Sequence, residues 1–141
     1  MYMGRDSISL PADRNAFEAL QSWLSGIAGE LKLPDRTRKQ LLIVADEIFT
    51  NITEYGYPSG GGEVDVTLEF DFDLDQLDIT FADSGIPYNP LECADPDVSS
   101  PLEERSPGGL GIFIVKKLMD TVEYRRENGR NILTARKNII R

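Results

Sequence analysis

The chain has 141 residues, 40% of them hydrophobic and 28% charged, and a formal net charge of −9 at pH 7. This length fits one cooperative domain, and an acidic chain without a Lys/Arg cluster is a poor partner for a nucleic-acid backbone. The absence of histidine excludes Ser/His triads, histidine-ligated metals and a phosphohistidine intermediate, so chemistry must rest on carboxylates, amides and bound cofactors.

The sequence carries no sign of a membrane or secretory segment. No apolar run approaches the roughly twenty residues that span a bilayer, and no basic stretch followed by an apolar one opens the chain. The single Cys93 has no intrachain partner for a disulfide. We therefore expect a cytoplasmic protein that binds no membrane.

The first third of the chain predicts a strand followed by two helices. Ser7 to Pro11 alternates weakly, as a short strand does, and Asp13 offers an N-cap to the helix that follows. That helix should end before Pro34, and a second should run over about 35–56. Both carry apolar residues at three- and four-residue steps, so each has one face for a core.

The middle of the chain predicts a β-hairpin and a long loop. Residues 64–72 alternate between apolar and polar, and residues 77–81 resume the alternation after a turn. Such strands have one solvent-exposed face, so helices are needed only to cover the other, apolar face of the sheet. Residues 88–107 lose periodicity and hold four prolines, and loops of this length in compact domains are usually functional.

The last third predicts a helix with a glycine-rich start and a second hairpin. A helical pattern covers residues 108–120, and Asn128-Gly129, the dipeptide preferred in type I′ turns, separates strand-like runs at 121–126 and 131–136. The whole order predicts a single α+β domain over 1–141. It would be a two-layer α/β sandwich, with a mostly antiparallel sheet and helices on one face.

Two clusters of polar residues are candidates for chemistry. Glu47 and Asn51 lie four residues apart on one side of the second predicted helix, although such a pair is more often a solvated helix flank. Asp83 follows a buried strand, where its carboxylate could accept a hydrogen bond from an exocyclic amine. Gly85 would let a flat ring approach the backbone. An ordinary Asp-Ser-Gly turn is the alternative for this second cluster.

A third cluster opens the last predicted helix. Glycines at a helix start expose backbone N–H groups and the positive end of the helix dipole, which suits a phosphate chain. The alternative is a hinge with a close helix–sheet contact. The cluster comprises Gly108, Gly109, Leu110 and Gly111. Because the chain has neither a P-loop nor a Rossmann glycine motif, another nucleotide fold is required.

In this order the three clusters resemble the N, G1 and G2 boxes of the GHKL ATPase and kinase superfamily. The resemblance narrows to the anti-sigma factor serine/threonine kinases and covers about Ser7 to Lys137. The similar segments are ISLPADRNAFEALQSWLSGIAGEL, ADEIFTNITEYGY, DSGIPYNP and ERSPGGLGIFIVKKLMDTVEY. The chain departs from the family pattern at Tyr55, where histidine is frequent, and at Pro107. The resemblance implies the Bergerat ATP-binding fold.

The resemblance also implies a set of site residues. Asn51 would coordinate a magnesium ion that bridges the ATP phosphates, Glu47 would orient or deprotonate the attacking hydroxyl, and Asp83 would bind the adenine amine. Residues 88–107 would form a lid over ATP, with Arg105 near the phosphates or the protein partner. The other cofactor-binding residues implied are Gly85, Pro87, Gly108, Gly109, Leu110 and Gly111.

The function implied by the resemblance is an ATP-dependent protein kinase that phosphorylates a serine or threonine of a STAS-type anti-sigma factor antagonist and sequesters a sigma factor. A homodimer is implied too, and the predicted strand Ser7 to Leu10 offers an edge for pairing. One alternative is a regulatory module that docks on its partner under nucleotide control without phosphoryl transfer. Another is a detached sensor histidine kinase domain, which would need a histidine acceptor on a second chain.

Overall fold

The computed structural model describes residues 3–92 and 109–141. The strands are β1 (Met3–Pro11), β2 (Glu63–Asp71), β3 (Gln76–Asp83), β4 (Thr121–Glu127) and β5 (Arg130–Asn138). The helices are α1 (Phe17–Glu30), α2 (Asp35–Asn51) and α3 (Gly109–Leu118). Short 3₁₀ turns cover Arg14–Ala16 and Pro90–Glu92, and a π-helical turn over Ile52–Gly56 continues α2.

The five strands form one antiparallel sheet in the order β1-β2-β3-β5-β4. With the helices, this arrangement confirms the predicted α+β class with an antiparallel sheet. β1 is an edge strand, but it begins at Met3 and not at the predicted Ser7. The extra residues lack clear alternation, and they are strand because they pair with β2 as far as Asp71.

The core lies between the helices and one face of the sheet. Alternate residues of β2 and β3 point into it, and they pack against the apolar stripes of α1 and α2. The largest fully buried side chains include Phe49, Phe70, Phe81, Leu20, Leu24 and Leu41. The opposite face of the sheet is polar, with a hydrogen bond of 3.1 Å between the hydroxyls of Thr80 and Thr134. The prediction that one face of the sheet is exposed to solvent is therefore confirmed.

Local sequence signals explain where these elements begin and end. The Asp13 carboxylate accepts a hydrogen bond of 2.8 Å from the Asn15 N–H, and so caps the 3₁₀ turn that leads into α1. Asn128 and Gly129 have φ angles of 52° and 76°, the positive values that a type I′ turn requires at both central residues. The predicted second hairpin is thus confirmed in its position and its turn chemistry.

The sheet register places two polar residues side by side. Asp83, the last residue of β3, pairs directly with Asn131 on β5, and both side chains are buried. The π-helical end of α2 lies beside them, since the Ile86 N–H donates a hydrogen bond of 2.9 Å to the Gly56 carbonyl. Three chain segments that are distant in sequence therefore meet at this edge. No helix in residues 3–92 or 109–141 has the length and apolarity to cross a bilayer.

Candidate functional site

A pocket opens where the end of α2 faces β3 and β5. Its walls combine apolar and polar side chains, and its mouth is formed by aromatic and proline residues. The lining consists of Ile48, Asn51, Ile52, Gly56, Phe81, Asp83, Tyr88, Pro90, Tyr124, Asn131 and Leu133. The empty space is about 360 Å³, a volume that includes the open mouth of the pocket.

Asp83 is the acidic residue of this pocket and is only 3% exposed. Its Oδ1 accepts two hydrogen bonds of 2.9 Å each, from the Gly85 backbone N–H and from Nδ2 of Asn131. Neither bond engages the second carboxylate oxygen, Oδ2. Because one oxygen is held from two directions, the carboxylate has a fixed orientation, with Oδ2 outside both bonds.

Asn131 has a role that the sequence analysis missed. Its Nδ2 donates to Asp83 Oδ1 and, at 2.9 Å, to the Ile86 carbonyl oxygen. Its Oδ1 accepts a bond of 3.3 Å from the Tyr88 backbone N–H and another from the Tyr124 hydroxyl. No motif could have found it, because the Asn128-Gly129 turn fixes only the pairing of β4 with β5, and Asn131 meets Asp83 through the pairing of β3 with β5.

Asn51 lies at the C-terminal end of α2 and is 8% exposed. Its Nδ2 is buried and has no hydrogen-bond partner among the residues that the structure describes. A buried polar group without a partner costs about 1–3 kcal/mol, so this amide N–H group is a donor that a ligand or water in the pocket could satisfy. Asn51 and Asp83, predicted as parts of separate clusters, line the same pocket.

Glu47 is half-buried one turn before Asn51 and packs against the start of α3. A Cβ atom added at Gly111 would overlap Oε2 of Glu47 and lie 3.3 Å from its Cδ, so the Glu47 carboxylate lies directly against the backbone of α3 and would have to move if residue 111 had a side chain. Burial raises the pKa of the Glu47 carboxyl, the Asp46 charge raises it further, and the Arg14 charge opposes both. Glu47 therefore binds a proton more readily than an exposed glutamate.

Gly85 belongs to the turn that follows β3. A Cβ atom here would lie 2.7 Å from the Gly56 carbonyl carbon and closer still to its oxygen. The Tyr57 hydroxyl fastens the same turn, since it accepts a bond of 2.7 Å from the Ser84 N–H and donates one of 2.9 Å to the Glu63 carbonyl. Glycine at 85 is thus required by contact between two backbone segments, and its contact with a base stays a prediction.

The remaining predicted site residues lie around the pocket or outside the described chain. Pro87 and Gly85 border a neighbouring open cleft on the outer side of the turn and do not line the pocket itself. Gly109 and Leu110 form the first backbone turn of α3. Residues 93–108, which include Arg105, Gly108 and most of the predicted lid, lie outside the described residues.

The pocket offers few protein oxygens to a metal ion, as is usual for a magnesium ion that is bound mainly through the phosphates of a nucleotide. Among residues 3–92 and 109–141 there is no group of three or more Asp, Glu, Cys or His side chains that could hold a metal ion. Mg²⁺ keeps several waters and is often bound through one or two protein oxygens plus substrate phosphates. The amide oxygen of Asn51 fits that mode, whereas its unpartnered Nδ2 is a donor that fits a phosphate oxygen and not the metal.

The model of the histidine kinase-like ATPase domain family matches residues 10–137. The chain belongs to this family. Serine-protein kinase RsbW from Bacillus mycoides (strain KBAB4) is 25% identical over 130 residues, which cover 89% of this chain and 80% of the relative. Serine/threonine-protein kinase BtrW from Bordetella bronchiseptica is 29% identical over 113 residues, which cover 79% and 78%. The predicted resemblance to RsbW-like kinases of the GHKL superfamily is confirmed.

Solved structures are similar in fold. The RsbU and RsbW domains of Rv1364c from Mycobacterium tuberculosis match with a TM-score of 0.70 at 16% identity, over 98% of this chain and 33% of theirs. The SiaB–SiaC complex from Pseudomonas aeruginosa matches with a TM-score of 0.63 at 15% identity, over 94% of this chain and 88% of that one. At these identities the likeness establishes the fold alone, and it agrees with the sheet and helix layers described above.

Proposed function

We propose that this protein is a serine/threonine kinase that binds Mg-ATP, phosphorylates a STAS-type anti-sigma factor antagonist and sequesters a sigma factor. One observation carries the proposal. Asn51, Asp83 and Asn131 line one pocket in a chain that belongs to a family of kinase-like ATPase domains. The kinase names of the RsbW and BtrW relatives support phosphoryl transfer to a protein hydroxyl.

The adenine would occupy the pocket beside Asp83. Oδ2 of the carboxylate would accept a hydrogen bond from the exocyclic amine, and the apolar walls would cover the faces of the ring. The pocket has little free space between its lining residues in this structure, so the base would displace some of these side chains. Tyr88 can open that space by leaving its stack on Tyr55, where the ring centroids are 4.9 Å apart.

The phosphates would extend from the pocket toward the N-terminus of α3. This ten-residue helix begins at Gly109, and its first backbone N–H groups and dipole favour an anionic group. The amide oxygen of Asn51 would supply a metal ligand, and its unpartnered Nδ2 would be free to donate to a phosphate oxygen. A bound Mg²⁺ would neutralise phosphate charge, which is the main requirement of phosphoryl transfer together with alignment.

Glu47 would orient the hydroxyl that attacks the γ-phosphate. Because residue 111 is glycine, the Glu47 carboxylate can lie against the first turn of α3, where the phosphates would lie. Its raised pKa makes it a better proton acceptor. A carboxylate still remains far less basic than an alkoxide, so Glu47 would accept the proton late or act as a hydrogen-bond acceptor throughout.

The experiment is a transfer assay with ATP labelled on its γ-phosphate, magnesium and purified candidate STAS antagonists. The proposal expects labelled phosphoserine or phosphothreonine on one antagonist. Glu47→Gln should bind ATP but transfer slowly, whereas the matched control Glu54→Gln, an exposed acid on the π-helical turn, should behave as wild type. Calorimetry with ATP, with and without magnesium, tests the site independently of the partner.

The proposal extends to assembly and location. β1 is an edge strand over its whole length from Met3 to Pro11, so a second copy could continue the sheet in a homodimer. A cytoplasmic location would give access to sigma factors. ATP binding without transfer to any antagonist, together with partner affinity that changes with nucleotide, would instead establish a regulatory binding module.

A further inference from the structure

We propose that Asn131 is a positioning residue that sets the base specificity of the pocket. It would do so by holding Asp83 so that Oδ1 is occupied within the protein and Oδ2 alone accepts a hydrogen bond from the base. The inference rests on the proposed function, because it requires a nucleotide base in this pocket. Nothing in the motifs of the sequence points to Asn131, which lies outside all three clusters.

The geometry around Asn131 uses every hydrogen-bonding group of its amide. Asparagine has two N–H donors and an oxygen with two lone pairs. Both donors face oxygens, those of Asp83 and the Ile86 carbonyl, and both lone pairs face donors, the Tyr88 N–H and the Tyr124 hydroxyl. A flipped amide would place like groups against each other at Asp83, at the Ile86 carbonyl and at the Tyr88 N–H, so the network fixes which end faces the carboxylate.

The fixed Nδ2 donor of Asn131 prevents the Asp83 carboxylate from rotating freely. A carboxylate has two equivalent oxygens and can present either one to a ligand if it rotates. Here the Gly85 N–H and Asn131 Nδ2 both bond Oδ1 at 2.9 Å, and the carboxylate is buried with them. Rotation would break both bonds inside a low-dielectric site, where unmade hydrogen bonds are costly. The base is therefore offered an acceptor in one place.

An acceptor in one place distinguishes purines by their exocyclic group. Adenine presents an amine, which donates to Oδ2, whereas hypoxanthine presents a carbonyl oxygen, which would face the carboxylate without a hydrogen. If Asn131 is lost, Oδ1 loses a donor and the carboxylate can turn away from the base, so a water can enter and donate to the hypoxanthine carbonyl. The ratio of the ITP and ATP dissociation constants should then fall, whereas the contribution of the triphosphate, which both nucleotides carry, should change less.

The test measures dissociation constants of Mg-ATP and Mg-ITP by calorimetry for three variants of the full chain. Asn131→Ala removes the network, Asn131→Thr keeps one hydroxyl donor, and Asn138→Ala is the control on the same strand, where an exposed amide oxygen accepts a bond from Gln76. We expect wild type to prefer ATP, and Asn131→Ala to lower the ITP-to-ATP ratio of dissociation constants about tenfold, the worth of roughly one hydrogen bond. Asn131→Thr should retain part of the ratio and Asn138→Ala all of it.

The outcomes separate this inference from the function on which it rests. An Asn131→Ala protein that binds both nucleotides with the wild-type ratio would overturn the inference and leave the nucleotide site standing. Wild-type protein that binds no ATP would overturn both. If Asn131→Ala does not fold, Tyr124→Phe loosens the same amide from its other end, and the ratio must fall there too if the inference holds.

Discussion

Replacing Gly85 with alanine should distort the junction between the end of α2 and the turn after β3. The added Cβ would lie 2.7 Å from the Gly56 carbonyl carbon, where carbon atoms normally stay about 3.5–4.0 Å apart. It would also lie 3.0 Å from Oδ1 of Asp83. The first obstacle is backbone and not the end of a flexible side chain, so one segment must move by about 1 Å.

The size of the effect follows from what that movement breaks. Overpacking in a buried site costs about 1–3 kcal/mol, and loss of the 2.9 Å bond from Ile86 N–H to Gly56 adds about 1 kcal/mol. A total of about 2–4 kcal/mol corresponds to a fall in Tm of about 6–12 °C for a domain of this length. ATP affinity should fall as well, because the Gly85 N–H is one of the two donors that orient Asp83.

The assay is thermal unfolding of Gly85→Ala beside Gly26→Ala. Gly26 is exposed in the middle of α1, and a Cβ there meets nothing within 4 Å. Alanine at 26 should stabilise the helix by about 0.5–1 kcal/mol and raise Tm by about 2–3 °C. The two substitutions should thus shift Tm in opposite directions. Equal Tm values for Gly85→Ala and wild type would refute the claim that backbone contact requires this glycine.

Three further substitutions test other parts of the site. Glu47→Gln should stabilise the fold at pH 7, because a carboxyl whose pKa is raised on folding contributes stability only at low pH and loses it as pH rises. Its Tm advantage over wild type should shrink as pH falls toward 4.5, the ordinary pKa of the group, and an advantage that does not change with pH would contradict this assignment. Asn51→Ala should weaken magnesium-dependent ATP binding in calorimetry while Tm stays level or rises, since it removes an unpartnered amide; a large loss of Tm would mean that the amide is structural. Tyr57→Phe should lower the free energy of unfolding by about 1–2 kcal/mol in urea titrations, because one hydroxyl bonds both Ser84 and Glu63, and an unchanged midpoint would argue against that clamp.

Most of the fold could be predicted because its signals are local. Strict alternation predicted β2 and β3, and the Asn128-Gly129 pair predicted the hairpin of β4 and β5. The start of β1 was predicted too late, since its first residues are held by pairing with β2 and not by an alternating pattern. The π-helical end of α2 was predicted only as helix, because period alone does not separate the two forms.

The site was predictable only as three separate clusters. Spacing on one helix predicted that Glu47 and Asn51 share a side, but nothing in a sequence without its register states that Asp83 faces Asn131. That pairing depends on which residue of β5 lies opposite the end of β3. A one-residue slip would have turned Asn131 to the wet face of the sheet, so its role is a consequence of tertiary register.

The glycines show why a motif alone could not decide between packing and ligand binding. Gly85 and Gly111 were predicted to let a ligand approach, yet each also admits a protein atom, the Gly56 carbonyl in one case and the Glu47 carboxylate in the other. A glycine that is required for close packing cannot be distinguished in a sequence from a glycine that is required for ligand binding. Asn51 favours ligand binding, because packing alone gains nothing from a buried amide donor with no partner among residues 3–92 and 109–141. A ligand site is therefore supported by this unsatisfied donor more than by the glycine motif that first suggested it.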